Sequence, residues 1–440
     1  MNRPTRTLVS LALTVLTAAT TAATTATTTA SADDWPQWGG PRRDLVWREK
    51  GIVKTLPTTG LLPRVWSTPI GEGYSGPAVA KGRVYITDFV QKQHIERIQS
   101  LDAQSGKILW TSTYPVRYSI SYPAGPRMTP VVEDDRVYTI GAMGDMFCLK
   151  VSDGTVVWKK NFVADYGTKL PIWGMVASPL IDDRQLITLV GGSDGALVVS
   201  FDKLTGKELW RSLEDSQIGY CPPVIMNFGN TRQLIVWHPT AISSLDPNSG
   251  RLIWQVPFRI RAGLTISTPR QVGNRLFVTA FYNGPMMIEV ADDGRTAKIA
   301  WKGNSDSEIK TDGLHSIMST PIFTRRHIYG VGSYGQLRCL DASNGKRVWE
   351  TLAATGRGRW WNAFLITHQD RQFIHNEQGD LIIARLTPQG YQEISRAKLI
   401  EPTRRVQRRM TIWSHPAFAM QSVFARNDKE LVRVSLAAGQ

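Results

Sequence analysis

Short runs in which apolar and polar residues alternate recur along most of this 440-residue chain, and tight-turn residues separate them. A period of two predicts half-buried β-strands rather than helices. Turn pairs such as Lys81-Gly82 and Gly273-Asn274 favour hairpins between successive strands, because they tolerate a left-handed backbone. The first complete unit reads as four strands: Pro77 to Ala80, Arg83 to Asp88, Ile95 to Leu101 and Ile108 to Thr113. The pattern predicts an all-β protein.

A second pattern is a repeat of an acidic or loop residue, a Gly and a Trp at similar spacing. In the first copy Asp102 is followed by Gly106, Lys107 and Trp110. The tryptophans of successive units stand 44 to 52 residues apart and are Trp66, Trp110, Trp158, Trp210, Trp254, Trp301 and Trp349. A repeat of that length with four strands predicts the blades of a β-propeller. We expect each Trp to fill the widening gap between blades, which is a structural task.

The number of blades follows from the residue pairs that begin each innermost strand. Eight such pairs are present: Gly76-Pro77, Thr129-Pro130, Ser178-Pro179, Pro222-Pro223, Thr268-Pro269, Thr320-Pro321, Asn362-Ala363 and His415-Pro416. The eighth unit has only three strands, so we expect the strand Arg64 to Pro69 to complete it and close the ring. The prediction is an eight-bladed propeller of four-stranded antiparallel blades over residues 64–440.

The first 63 residues do not carry the repeat. Residues 1–32 have the pattern of a secretory signal peptide, with Arg3 and Arg6, an apolar run from Leu8 to Leu16, and Ala30-Ser31-Ala32. The alternative is a retained membrane anchor, but the run is shorter than the roughly 20 residues of a spanning helix. Residues 33–63 contain Trp35, Trp38 and Trp47 and are predicted to pack on the ring as a strap, the alternative being a contact surface.

Charge and cysteine content narrow the classes of function. The net charge is +15, but the basic residues are spread out and no nucleic-acid motif accompanies them. Small clusters such as Arg404-Arg405 leave open a contact for an acidic partner or an anionic lipid surface. The three cysteines, Cys148, Cys221 and Cys339, are predicted to be small buried residues without a disulfide.

The Asp-x-x-x-Gly-Lys-x-x-Trp copies resemble the pyrroloquinoline-quinone (PQQ) repeat family. That family includes quinoprotein alcohol dehydrogenases and the propeller lipoprotein of the outer-membrane β-barrel assembly machine. The resemblance covers roughly residues 64–436 and implies the fold, because the motif is structural. For an enzyme of the family it would imply PQQ between a Trp and two adjacent disulfide-bonded cysteines, with Ca²⁺ held by Glu, Asn and Asp.

The chain departs from both kinds of family member. It has no adjacent cysteine pair, so we predict no cofactor, PQQ with Ca²⁺ being the alternative. The signal region contains no Cys to acylate, so we expect an exported periplasmic or extracellular protein that is not anchored through Cys. No transmembrane segment is predicted in the mature chain, and we expect a monomer.

Residues just before the inner strands are predicted to meet at one mouth of the ring. Aromatic rings, cations and hydroxyls that converge on a concave surface are typical of a ligand or partner site, although close packing around a narrow axis is the alternative. The candidates are Tyr74, Arg127, Trp173, Tyr220, His315, Trp360, Trp361, Trp413 and His415. No catalytic residue and no metal site are predicted, since His315 and His415 belong to blades that are not adjacent.

Three functions are compatible with this pattern. The first is a non-catalytic propeller of the cell envelope that binds an envelope protein or a small ligand, without nucleic acid. The second is a PQQ-dependent dehydrogenase with an atypical site. The third is a carbohydrate-binding propeller that uses Trp360, Trp361 and Trp413.

Overall fold

The computed structural model describes residue 1, residues 34–58 and residues 60–439. Apart from residue 1, the predicted signal peptide lies outside these residues. Helices are few in the described chain: an α-helix at Phe162–Tyr166 and two 3₁₀ turns at Gln91–Gln93 and Arg261–Gly263. Within the described residues no helix has both the length and the apolar character needed to cross a bilayer.

Eight four-stranded antiparallel sheets make up the described chain, which confirms the predicted propeller. Blade 1 comprises Ala78–Ala80, Arg83–Val90, Ile95–Asp102 and Ile108–Pro115, and blade 2 comprises Val131–Glu133, Arg136–Ile140, Asp145–Lys150 and Val156–Asn161. Blade 3 comprises Leu180–Asp182, Gln185–Leu189, Val198–Asp202 and Glu208–Ser212, and blade 4 comprises Val224–Phe228, Thr231–His238, Ala241–Leu245 and Leu252–Pro257. Blade 5 comprises Arg270–Val272, Arg275–Ala280, Gly284–Val290 and Ala297–Lys302, and blade 6 comprises Ile322–Phe323, His327–Val331, Leu337–Asp341 and Arg347–Thr351. Blade 7 comprises Ala363–His368, Arg371–Asn376, Asp380–Thr387 and Gly390–Lys398, and blade 8 comprises Ala417–Ala419, Ser422–Arg426, Glu430–Ser435 and Arg64–Pro69. A short hairpin, Arg404–Val406 with Arg409–Thr411, precedes blade 8.

The ring is closed by strands from both ends of the chain, as predicted. Arg64–Pro69 pairs antiparallel with Glu430–Ser435, and Trp66 lies opposite Arg433. An ion pair of 2.6 Å between Arg64 and Glu430 supports the same edge. Blade 8 therefore depends on residues more than 360 positions apart in sequence.

The acidic residue of the repeat organises the turn between the third and fourth strands of a blade. The Oδ1 atom of Asp102 accepts hydrogen bonds from the amides of Gln104 at 3.1 Å and Ser105 at 2.7 Å. Gly106 then adopts a φ of +71°, a conformation that costs little only for glycine. The sequence motif thus specifies a compact turn that returns the chain to the outermost strand.

The glycine and the tryptophan of the repeat meet across blades. The ring of Trp110 lies on Gly154 of the next blade, where a Cβ atom would stand 2.5 Å from it. The Nε1 of Trp110 also donates to the carbonyl of Val151 at 2.9 Å. The same packing recurs between Trp66 and Gly106, Trp158 and Gly206, Trp210 and Gly250, and Trp301 and Gly345. The repeat therefore encodes the contact between neighbouring blades as well as the blade itself.

The N-terminal stretch of residues 34–47, which we call the axial segment, contacts the innermost strands of the ring. The amide of Trp35 donates to the carbonyl of Val79 in blade 1 at 2.7 Å, and the carbonyl of Pro36 accepts from Val132 in blade 2 at 2.8 Å. At the other end, the amide of Trp47 donates to Thr367 in blade 7 at 2.8 Å. Innermost strands line the centre of a propeller, so the axial segment lies along the ring's axis.

Two arginines fix the middle of the axial segment. Arg43 donates to the carbonyls of Pro179 at 2.7 Å and Ser178 at 3.2 Å, at the start of the inner strand of blade 3. From blade 5, Arg270 donates to the carbonyl of Asp44 at 2.9 Å. Trp35 and Trp47 are buried in the same apolar cluster as blades 7, 8 and 1. The segment is thus packed into the core of the ring.

Candidate functional site

A cavity of about 410 Å³ opens where the inner strands begin, and we call it the cup. Seven of the nine predicted mouth residues line it: Tyr74, Arg127, Trp173, Tyr220, Trp360, Trp413 and His415. The loops before the inner strands bring them together because every blade enters the ring from the same side. The register that the sequence suggested therefore places these side chains in one concave surface.

Two of the predicted residues lie elsewhere. His315 is fully buried, with Nδ1 3.2 Å from the carbonyl of Phe281, and it does not reach the cup. Trp361 is also buried and packs on Gly356, where a Cβ atom would stand 2.7 Å from its Nε1. Trp360 has a φ of +64°, so the two neighbouring rings leave the backbone in different directions. Only Trp360 of this pair is available to a ligand in the cup.

The structure adds five aromatic or cationic cup residues that were not among the predicted mouth residues. They are Trp38, Tyr122, Tyr282, Arg359 and Phe364. Trp38 comes from the axial segment, and its ring lies 5.7 Å from that of His415. The Trp35-Pro36-Gln37-Trp38 sequence indicates that this stretch packs against the ring. Only the path of the axial segment, however, brings Trp38 to the cup.

Aromatic rings form one wall of the cup. The ring centroids of Trp360 and Trp413 are 6.5 Å apart, and Tyr122 lies 6.2 Å from the first and 6.0 Å from the second. Tyr74 extends the wall by stacking on Trp413 at 6.3 Å. Behind this wall the Nε1 of Trp413 donates to the buried carboxylate of Glu377 at 3.0 Å. The wall is thus held from outside the cup and presents flat apolar faces to its interior.

The charged groups of the cup are cationic. Arg127 lies 5.2 Å from the Tyr74 ring centroid and donates to the carbonyls of Gly125, Ser121 at 3.0 Å and Tyr122 at 2.6 Å. Burial lowers the pKa of Arg127 from its ordinary value.

Arg359 covers Trp360 at 4.6 Å and forms an ion pair with Glu308 at 2.7 Å. Among the described residues that line the cup, none is Asp or Glu. A ligand would therefore meet positive charge and apolar rings.

Three polar atoms of the cup have no hydrogen-bond partner within the described part of the chain. They are the hydroxyl of Tyr74, Nε1 of Trp360 and Nδ1 of His415. An unpaired buried donor costs free energy, which a bound ligand or water recovers by pairing with it. Burial, with the neighbouring His375, lowers the pKa of His415 to about 3, so its ring is neutral near pH 7. The cup offers hydrogen bonds but no group that titrates near neutral pH.

The family described as outer membrane protein assembly factor BamB matches residues 94–351, which is more than half of the chain. The chain belongs to this family.

Two BamB proteins are similar to this chain over part of its length. BamB of Burkholderia pseudomallei (strain K96243) is 23% identical over 262 residues, which cover 57% of this chain and 59% of that protein. BamB of Moranella endobia (strain PCIT) is 22% identical over 316 residues, covering 67% of this chain and 73% of that protein. The chain thus spans somewhat more than half of the first relative.

Solved structures show the same fold at low sequence identity. A quinohemoprotein alcohol dehydrogenase from Comamonas testosteroni has a TM-score of 0.62 and 13% identity, covering 93% of this chain and 81% of that one. A europium-containing methanol dehydrogenase has a TM-score of 0.58 and 12% identity, covering 91% and 89%. At such low sequence identities, the structural similarity shows only that the fold is shared.

The residues of this BamB-family chain do not fit the PQQ site that the repeat's resemblance implied. Cys148, Cys221 and Cys339 are free and buried, and none of them lines the cup. The cup lining in the described chain lacks the carboxylates that would hold Ca²⁺. Nor do the described residues contain a group of three or more His, Cys, Asp or Glu arranged for a metal ion. We therefore assign no chemical step to PQQ.

A hydrogen-bonded Ser–His–Asp chain in blade 4 escaped the sequence reasoning. Nδ1 of His238 lies 2.7 Å from Asp215, and its Nε2 lies 2.9 Å from the hydroxyl of Ser243. All three side chains lack the access that a nucleophile needs: Ser243 and His238 are buried, and Gln255 also donates to the Ser243 hydroxyl at 2.8 Å. This BamB-family chain uses the arrangement to satisfy buried polar groups rather than to attack a substrate.

Buried histidines make the stability of the fold sensitive to mild acid. Burial lowers the pKa of His375 to about 4, whereas an unfolded histidine takes up its proton near pH 6.5. The unfolded state then binds more protons below pH 6.5, so stability is full above that pH and falls on acidification, by up to about 1.4 kcal/mol per pH unit for each such imidazole. We expect the melting temperature to fall between pH 6.5 and 5.

Differential scanning calorimetry of two variants checks this expectation. His375→Gln should give a shallower decline between pH 6.5 and 5, because one buried imidazole is gone. The exposed His94 provides the control, and His94→Gln should keep the wild-type decline. Equal slopes in both variants would contradict the role of His375.

Proposed function

We propose that this BamB-family chain is an exported, non-catalytic propeller of the cell envelope whose cup binds a protein segment or a small ligand. The chemistry of the cup carries the proposal: flat aromatic faces, unpartnered donors and two arginines surround a volume of about 410 Å³. Such a surface suits recognition, in which apolar anchors and a few oriented polar groups provide affinity.

The absence of suitable acid–base groups supports a non-catalytic role. The cup residues in the described chain include no carboxylate, and His415 is neutral with a pKa of about 3. A general base works best with a pKa near the operating pH, which this imidazole does not have. Binding without turnover is therefore the activity that these side chains favour.

The relatives support an envelope protein as the partner. Both BamB relatives carry the name outer membrane protein assembly factor. The axial segment supports a rigid scaffold, since it is bonded to the inner strands of several blades. We propose that the partner inserts an apolar, aromatic or anionic side chain into the cup.

Cross-linking and affinity capture from envelope extracts test the role of the cup. Trp413→Ala removes one ring of the aromatic wall and is expected to weaken capture at least tenfold, the effect typical of a central aromatic residue in an interface. Trp413→Phe keeps a ring and should retain most of the binding. Ile309→Ala removes an exposed apolar side chain outside the cup and should leave capture unchanged.

Other results would direct the function elsewhere. Capture that is equal for wild type and Trp413→Ala would show that the cup is not the interface. Saturable PQQ binding with Ca²⁺ and alcohol-dependent dye reduction would contradict the non-catalytic proposal. Glycan binding that Trp413→Ala abolishes would favour the carbohydrate-binding function.

A further inference from the structure

A second cavity of about 350 Å³ lies farther along the inner strands than the cup, and we call it the chamber. It is bounded by the axial segment and by the inner strands of blades 3, 4 and 5. The side chains that matter here are Arg42, Arg43, Thr268 and Arg270. Arg42 is exposed, so the chamber opens to solvent beside it.

The positive charge of the chamber exceeds its negative charge. Four arginines and two aspartates line it, and both aspartates are already paired. Asp44 is bonded to Arg48, and Asp182 is bonded to Arg232 at 2.8 Å. The acids of the chamber therefore leave its other three arginines without a paired carboxylate.

The three remaining arginines form no close ion pair in the described chain, although the Asp44 carboxylate acts on Arg270 electrostatically. Arg43 donates to Gln37 and to two backbone carbonyls, and burial lowers its pKa to about 10. Arg270 donates to the carbonyl of Asp44, and Arg42 forms no ion pair with a described residue. Keeping cations close together without anions is unfavourable, and more so where burial reduces screening by solvent.

Two buried donors of the chamber are also unsatisfied within the described residues. Nε of Arg43 has no acceptor, although only 7% of this residue is exposed. The hydroxyl of Thr268, a residue that is 2% exposed, has no partner either. Buried donors of this kind are normally paired, so their convergence on one cavity points to an acceptor that binds there.

We propose that the chamber binds a small oxyanion ligand, a phosphate or a multivalent carboxylate. Arg42, Arg43 and Arg270 supply the positive charge, and the Thr268 hydroxyl donates a hydrogen bond. Guanidinium groups match the planar, bidentate geometry of such anions. This site is separate from the cup and does not depend on the proposed function. It would also tie the axial segment to blade 5, because its ligands come from both.

Thermal shift measurements on the purified chain test the chamber. Inorganic phosphate, citrate and chloride are compared at low millimolar concentration and equal ionic strength, so that general salt effects are matched. We expect phosphate or citrate to raise the melting temperature of the wild type by at least about 2 °C, since ligands of the folded state stabilise it. The anion that acts identifies the chemical source, phosphate or carboxylate. If neither exceeds chloride, the proposal is overturned.

Two variants distinguish binding from charge screening. Arg42→Gln removes a cation that forms no ion pair with a described residue. Thr268→Val removes a hydroxyl without changing charge and with little change in volume. In each variant the rise in melting temperature that the anion causes should be at most half that of the wild type. Without added anion, Thr268→Val should melt at the wild-type temperature or above it. The control is Arg251→Gln, an exposed arginine outside the chamber, which should respond as the wild type. If phosphate or citrate raised the melting temperature of all four proteins equally above chloride, the anion would act outside the chamber and the proposal would be overturned.

Discussion

Deletion of residues 60–70 is expected to abolish the cooperative unfolding of the propeller. The deletion removes Arg64–Pro69 and exposes the backbone edge of Glu430–Ser435. It also removes Trp66, whose Nε1 donates to the carbonyl of Ala103 in blade 1 at 3.0 Å. Blade 8 would keep three strands and lose the contact that Trp66 makes with blade 1, so we expect the ring to open. Calorimetry and circular dichroism should show a broad, non-cooperative transition.

Single substitutions in the same strand separate its backbone pairing with blade 8 from the packing of Trp66 on blade 1. Trp66→Ala keeps the backbone pairing but loses the packing on Gly106, and it should lower stability without removing cooperativity. Val65 is 48% exposed, so Val65→Ala should change the melting temperature little. A truncated protein that melts like the wild type would contradict closure by strands from both ends.

Trp110→Ala is expected to lower the free energy of unfolding by about 3–5 kcal/mol, the usual cost of truncating a large core aromatic side chain. Trp110 is 9% exposed and bridges blades 1 and 2 through its ring and its Nε1 hydrogen bond. Its neighbour Leu109 is 44% exposed on the same strand. Leu109→Ala should therefore cost well under 1 kcal/mol in chemical denaturation, as surface changes usually do.

A double-mutant cycle with Gly154 tests the contact between the two blades. Gly154→Ala alone suffers from its φ of +73° and from collision with the Trp110 ring. In the Trp110→Ala background only the backbone strain remains, about 1–2 kcal/mol. The two costs should therefore not add, with a coupling of about 1 kcal/mol or more. Strict additivity would show that the ring and the glycine do not constrain each other.

Only part of the cup could be predicted from the local sequence. The residues before the inner strands were predictable, since each blade repeats the same register and places Tyr74, Arg127 and Trp413 at one mouth. The direction in which a side chain leaves a loop could not be predicted from the sequence. Trp360 and Trp361 are adjacent, but the positive φ of Trp360 sends one ring to the cup and leaves the other in the core.

The sequence by itself determined the fold of this chain. The alternation of apolar and polar residues and the Asp-x-x-x-Gly-Lys-x-x-Trp repeat specify the eight blades, because each acts through a turn, a strand or the nearest blade. The closure could be predicted because the unpaired strand near Trp66 matches the strand that the eighth unit lacks. Tertiary structure alone decided the interior of the ring. The path of the axial segment, the place of Trp38 in the cup and the meeting of Arg43 with Arg270 depend on contacts between residues distant in the chain. Periodicity carries no information about such contacts, since they form only after the ring surrounds its axis.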